Sequence, residues 1–153
     1  MIGIIENLDF MAFVTMFFPA VKMSVEGIIS NNTEVSGLQA LFGGKIIEEN
    51  QFIQLTVFQL RFNPVAFIGY LLPFLSIVVS FIAFKVKGML AHFIAAILCI
   101  IGAVLIFLEP TFLATINEIN ENITCSLLIG PILGGIFAIL AGMVNAGSSL
   151  LKK

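Results

Sequence analysis

Tryptophan is absent from these 153 residues, there is one tyrosine and one histidine, and cysteine occurs twice. Charged residues make up only 10% of the chain. Each scarcity excludes something. A soluble domain carries about a quarter charged residues, so this chain lacks the means to cover itself with an ordinary water-facing surface. Seven basic residues against nine acidic ones leave a net charge of −2, and the basic residues are scattered, so nucleic acid is not an expected partner. Cys99 and Cys125 fit neither a CxxC redox pair nor a zinc spacing. They are expected more than about 10 Å apart in membrane depth, too far to bridge, and so free, small buried hydrophobes. No nucleophile stands beside a base, so no catalytic residue, metal site or cofactor is expected, and the protein is read as not an enzyme.

What the chain has is long apolar runs, within a composition that is 59% hydrophobic. The stretch 65–108 organises the rest. It holds about twenty apolar residues, the short basic turn Lys85-Val86-Lys87-Gly88, and a second apolar arm, which together predict a membrane hairpin with spans 65–84 and 90–108. Lysine collects on the cytoplasmic side, so the turn is the inner end. A last span over 127–147 ends in Lys152-Lys153, again an inner signal. The first apolar run, 2–21, has acidic rather than basic residues before its core and ends at Phe17-Phe18-Pro19, unlike a cleaved secretory signal, and is read as a retained first span.

The connections are then outside. In 22–63 the chain changes period: Val21, Met23 and Val25 alternate with Lys22, Ser24 and Glu26, which predicts a strand. Ser30-Asn31-Asn32-Thr33 is turn chemistry, and 36–44 is a short apolar segment bracketed by glycines. Ile53, Leu55 and Val57 alternate with polar neighbours, and the phase then slips by one to Phe58, Leu60 and Phe62, the mark of a β-bulge or a bend. Asn63-Pro64 ends the strand and opens the hairpin's first helix. The second outer loop, 109–125, is acidic; Glu109-Pro110 stops the preceding helix, and a short interfacial helix is expected over 117–122. Asn31-Asn32-Thr33 and Asn122-Ile123-Thr124 match the glycosylation sequon.

Several side chains invite a functional reading. Glu6 and Asp9 are candidate coupling carboxylates, since intramembrane acids default to function; the simpler expectation puts both at the inner headgroup level, near a helix start. Gly69, Pro73, Ser76 and Ser80 share one helical face, expected to pack inward with the serines bonding back to their own helix, although the same face could line a solute path. Tyr70 is expected at the outer interface as an anchor, and His92 as a wet side chain near the inner one. Gly130, Gly134, Ala138, Gly142 and Ala146 recur every four residues as the helix-packing seam of the last span.

Four spans, both termini inside and strands in the first outer loop define a membrane all-α four-helix bundle with a small extracellular antiparallel β-sheet. That plan resembles claudin-like proteins. Gly37-Leu38 followed by Phe42 echoes their Gly-Leu-Trp segment and marks Gly37, Leu38 and Phe42 as outer-loop interaction residues. The first loop lacks the tryptophan and the cysteines of that family, so its junction or channel role does not follow. Phe18-Pro19 and Ser36-Gly37-Leu38-Gln39 are similar to segments of small four-span membrane proteins of Gram-positive bacteria, a resemblance that implies no activity. The expected role is a structural, accessory or interaction subunit of the cell membrane, with lipid around it and a second copy or another membrane protein as partner. The alternative is a small transporter or channel subunit using Glu6 or Asp9 and the Ser76/Ser80 face.

Overall fold

In a computed structural model the chain is mostly helical with a small antiparallel sheet at one end; residues 2–25, 32–50, 53–86, 89–119 and 123–150 are described. Among them three helices are long and apolar enough to cross a membrane: α3 (Pro64–Val86), α4 (Met89–Phe107) and α6 (Ile129–Leu150). The first two correspond closely to the expected hairpin arms 65–84 and 90–108. The third begins two residues later than expected, because Leu127 is still in a strand.

The first apolar run departs from expectation. It is α1 (Ile2–Val14), a 3-10 turn over Thr15–Phe17, and then β1 (Pro19–Val25), so 2–21 is not one continuous span. Thirteen residues make a helix of about 20 Å against a hydrocarbon core of about 30 Å. The physical reason lies at its end. Thr15 Oγ1 donates to the Ala12 carbonyl at 2.6 Å and the Phe18 amide to the Thr15 carbonyl at 3.1 Å, tightening the last turn. Pro19 then forces Phe18 into extended backbone (φ −84°, ψ 165°).

α4 packs between α3 and α6, and α1 lies against α3 and α6. Their outward faces are apolar: Phe74, Val78 and Phe81 on α3, Phe93, Ile97 and Ile100 on α4, and Ile132, Ile136 and Met143 on α6 are all exposed. Asp9, Ser76, Ser80, His92 and Asn145 are buried. Polar groups inside and apolar groups outside is the arrangement of a membrane protein, since lipid favours the second and excludes the first.

The end of the bundle opposite the α3–α4 connection, the outer end in the expected topology, is built from both loops. β1 is the middle strand of an antiparallel sheet in the order β2-β1-β5, with β2 at Asn32–Ser36 and β5 at Ile123–Leu127. The expected sheet of 22–63 therefore starts earlier, at Pro19, and takes its third strand from the second loop. β5 was not anticipated, although it alternates, with Ile123, Cys125 and Leu127 half-buried against exposed Thr124 and Ser126. β3 (Gly44–Asn50) and β4 (Ile53–Leu60) form a separate two-stranded ribbon. Ile46 pairs with Phe58 and Ile47 with Thr56, which leaves Val57 as the extra residue of a bulge, where the sequence changes phase.

Between the sheets Ser36 caps α2 (Gly37–Phe42): its hydroxyl accepts from the Gln39 amide at 3.3 Å, and Gln39 Oε1 accepts from the Ser36 amide at 3.3 Å. Gly43 stops the helix at φ +80°, and a Cβ there would lie 2.5 Å from the Leu60 carbonyl. Asn63 caps α3 with a 3.1 Å bond from the Ala66 amide, and Pro64 follows at the helix start. Ala20, Val21, Met23, Val35, Ala40, Ile46, Leu60 and Leu113 form the outer core.

Leu113 belongs to α5 (Glu109–Ile116), which corrects the second loop. Glu109-Pro110 starts a helix rather than merely stopping one, since proline is tolerated in a first turn where amides have no helical partner. Asn117–Ile119 is a turn with Glu118 at φ +51°, not the beginning of a helix. The rest of the segment expected over 117–122 lies outside the described residues. So do Lys87 and Gly88 of the basic turn, Lys152 and Lys153, and the sequon asparagines Asn31 and Asn122.

Candidate functional site

Three groups of polar side chains follow one another down the inside of the helices. At the outer end Tyr70 donates its hydroxyl to Glu109 Oε2 at 3.1 Å, and both residues are buried. The tyrosine is therefore no interfacial anchor. α5 folds its first residue over the helix end and supplies the acceptor that a buried phenol needs. Glu109 Oε1 has no hydrogen-bond partner among the described residues. Burial pushes the Glu109 carboxyl from 4.5 up to about 7, against a smaller downward pull from the Tyr70 hydrogen bond.

The middle group joins three helices. Ser76 of α3 donates to Asp9 Oδ2 of α1, and Cys99 of α4 lies with its Sγ 3.2 Å from Asp9 Oδ1 and 3.1 Å from Ser76 Oγ. Ser76 and Cys99 each sit one residue beyond the middle of their helices, whose midpoints fall at positions 75 and 98. Asp9 is therefore at mid-depth with 0% exposure, not at the inner headgroup level. Its run of chain is short, and the pairing with α3 and α4 fixes its height. Glu6, one turn earlier, is half-buried and does not join the group. The two carboxylates thus separate into different environments.

The inner group is one turn further along α3. Ser80 donates to Asn145 Oδ1 of α6 at 3.0 Å, and His92 Nδ1 of α4 is 3.5 Å from the same oxygen. His92 is buried, not wet, because the α6 amide meets it inside the bundle. Asn145 Nδ2, also buried, has no hydrogen-bond partner among the described residues. The face Gly69, Pro73, Ser76 and Ser80 does turn inward. Its serines reach across to Asp9 and Asn145 instead of back to their own helix, an outcome that needs partner positions the sequence does not carry.

The small-residue stripe of α6 lies against several neighbours. A Cβ on Gly130 would come within 2.9 Å of the Pro19 carbonyl, one on Gly134 would meet the Thr15 hydroxyl, and one on Gly142 would be 3.3 Å from the Ala96 carbonyl. Ala138 packs with Ala12 and Ala103. Ala146 lies at an apolar groove of about 400 Å³ at the inner end, also lined by Met89, Leu90, Phe93, Ser149 and Leu150. On the outer side Gly37 is buried, its amide bonded to the Phe18 carbonyl at 2.9 Å and the Met16 carbonyl where a Cβ would be. It is a packing residue. Leu38 and Phe42 are exposed by 39% and 53%, and Phe42 stacks on Phe62 at 6.2 Å and meets Phe67 edge-on at 5.7 Å.

Asp9, Ser76 and Cys99, and likewise Ser80, Asn145 and His92, can clamp helices together through interhelical hydrogen bonds in a medium that offers no water as competitor. Among the described residues no three of His, Cys, Asp or Glu converge as a metal site. Cys99 and Cys125 are both free, and burial pushes the Cys125 thiol up. Compared with protein-family models, curated proteins and solved structures, the chain matches none.

Proposed function

We propose that this protein is a non-enzymatic accessory or interaction subunit of the cell membrane, a claudin-like four-helix bundle with both helix-hairpin lysines and both termini inside. α1 completes the bundle by packing on α3 and α6. The outer domain is the interaction module, shared by lipid below and a second copy or another membrane protein beside it. The observation that carries this reading is the aromatic cluster at the base of that domain. Phe42 and Phe62, exposed by 53% and 48%, stack on each other and both meet Phe67 of α3, and Leu38, also exposed, lies one helical turn before Phe42 on α2. Clustered exposed aromatics are typical of the centre of an interface. With a photoreactive phenylalanine analogue at position 42 in native membranes, illumination should give a heavier protein adduct. Adducts to lipid alone would overturn the reading.

A second reading, a small transporter or channel subunit, is favoured by the position of Asp9. Carboxylates at mid-depth are rare and usually serve ion or proton movement, and this one is bonded to the Ser76/Ser80 face expected to line a path. In proteoliposomes with an internal pH dye, Asp9→Asn should abolish proton flux. No flux in the parent, or flux unchanged by the substitution, would remove this reading.

A further inference from the structure

We infer that Asp9 is a proton-binding site in the middle of the membrane, its carboxyl holding a proton within a closed ring of three hydrogen bonds formed with Ser76 and Cys99. The argument is a count of hydrogens. Three contacts close the ring: Asp9 Oδ2 with Ser76 Oγ, Ser76 Oγ with Cys99 Sγ at 3.1 Å, and Cys99 Sγ with Asp9 Oδ1 at 3.2 Å. Each hydrogen bond requires one hydrogen between its heavy atoms. A serine hydroxyl brings one and a cysteine thiol brings one, while an ionised carboxylate brings none. Two hydrogens serve three contacts only by splitting the single thiol hydrogen between Asp9 Oδ1 and Ser76 Oγ, which weakens both bonds, whereas a neutral Asp9 supplies the third hydrogen and completes each contact.

The ring then runs in one direction. Ser76 O–H donates to Asp9 Oδ2, the protonated Asp9 Oδ1 to Cys99 Sγ, and Cys99 S–H to Ser76 Oγ, so that every member donates once and accepts once. With Asp9 ionised, the Ser76 hydroxyl still turns to the carboxylate, but the one thiol hydrogen is divided between Asp9 Oδ1 and Ser76 Oγ.

Among the described residues no cationic side chain is bonded to Asp9 to balance the ionised form. On α1 the other titratable side chain is Glu6, also acidic and half-buried. On α3 they are Tyr70, committed to Glu109 nearer the outer end, and Lys85, whose ammonium lies 4.9 Å above the Phe81 ring. On α4 it is His92, seven residues toward the inner end and held beside Asn145. The described part of α6 has none. Among the described residues the ion pair formed is Arg61–Glu118, on the exposed outer surface. An ionised carboxylate without a cation in such a setting carries a large desolvation cost, which the neutral form avoids. This inference holds under either reading of function above.

The sequence supplies its own probe, because Asp9 is the only aspartate in the chain. Protein made by cell-free synthesis with carbon-13 at the aspartate side-chain carboxyl therefore reports one site without substitution. In lipid nanodiscs at neutral pH, the infrared C=O stretch of a protonated carboxyl should be present and should shift to lower frequency on labelling. That band should be missing from Asp9→Asn. A label-sensitive signal found only among the ionised carboxylate stretches would overturn the inference. The labelled parent chain alone decides the matter should Asp9→Asn fail to accumulate.

Discussion

Leucine at position 102 is expected to separate α3 from α4 and to leave little folded protein. A Cβ on Gly102 would already lie 2.7 Å from Pro73 Cδ and 2.9 Å from the Gly69 carbonyl, and one on Gly69 would be 3.0 Å from Leu105 Cβ. The two glycines thus face each other across the helix pair, and neither obstacle can rotate away, since one is a proline ring and the other backbone. Overpacking a close-packed interior costs about 1–3 kcal/mol and occasionally more; with a whole isobutyl group against rigid atoms, roughly 3 kcal/mol or more is expected for Gly102→Leu. The cost spreads to the middle and inner polar groups, because Ser76, Ser80, His92 and Cys99 lie on the same two helices. Thermal unfolding in mild detergent should show a large fall in midpoint, while Ile100→Leu, on the lipid-facing side of α4, leaves it nearly unchanged. Equal midpoints for the two variants would contradict the close crossing.

Stability should also fall as pH rises through the range in which Glu109 holds a proton that the unfolded chain has already lost. The carboxyl moves from 4.5 to about 7 on folding, chiefly through burial. Below 4.5 both states are protonated and the fold has its full stability. Between about 4.5 and 7 the unfolded state binds fewer protons, so unfolding becomes easier with each increment of pH; above 7 both states are ionised and the loss is complete. A displacement of this size corresponds to roughly 3 kcal/mol. Glu109→Gln keeps the shape and a neutral acceptor for Tyr70 but cannot titrate. The difference in unfolding midpoint between the substituted and parent proteins should therefore widen from about pH 5 to about pH 8, in favour of glutamine. A constant difference would show that Glu109 meets water in the fold.

Much of this architecture follows from local pattern. The two hairpin arms, the strand at Val21–Val25, the bulge at Val57 and the Asn63-Pro64 helix start each depend on the period of apolar residues or on the chemistry of one or two neighbours. α2 and β5 were not anticipated, although Ser36 and Gln39 as a capping pair and the alternation from Ile123 to Leu127 are local signals of the same kind. The short α1 was partly legible in Pro19, whose effect on Phe18 ends the helix before it reaches a full span.

The sequence by itself determined which segments are apolar, where they turn, and which helix faces carry small or polar side chains, because those properties depend on residues within a few positions of one another. The tertiary structure alone decided the height of Asp9, the burial of Tyr70 and His92, and the partners of Ser76, Ser80 and Glu109. Each of these joins residues far apart along the chain, such as Asp9 and Cys99, or Ser80 and Asn145. A hydrogen bond across helices depends on how deep each helix sits and how it is rotated, and packing at Gly69, Gly102 and the α6 stripe sets both.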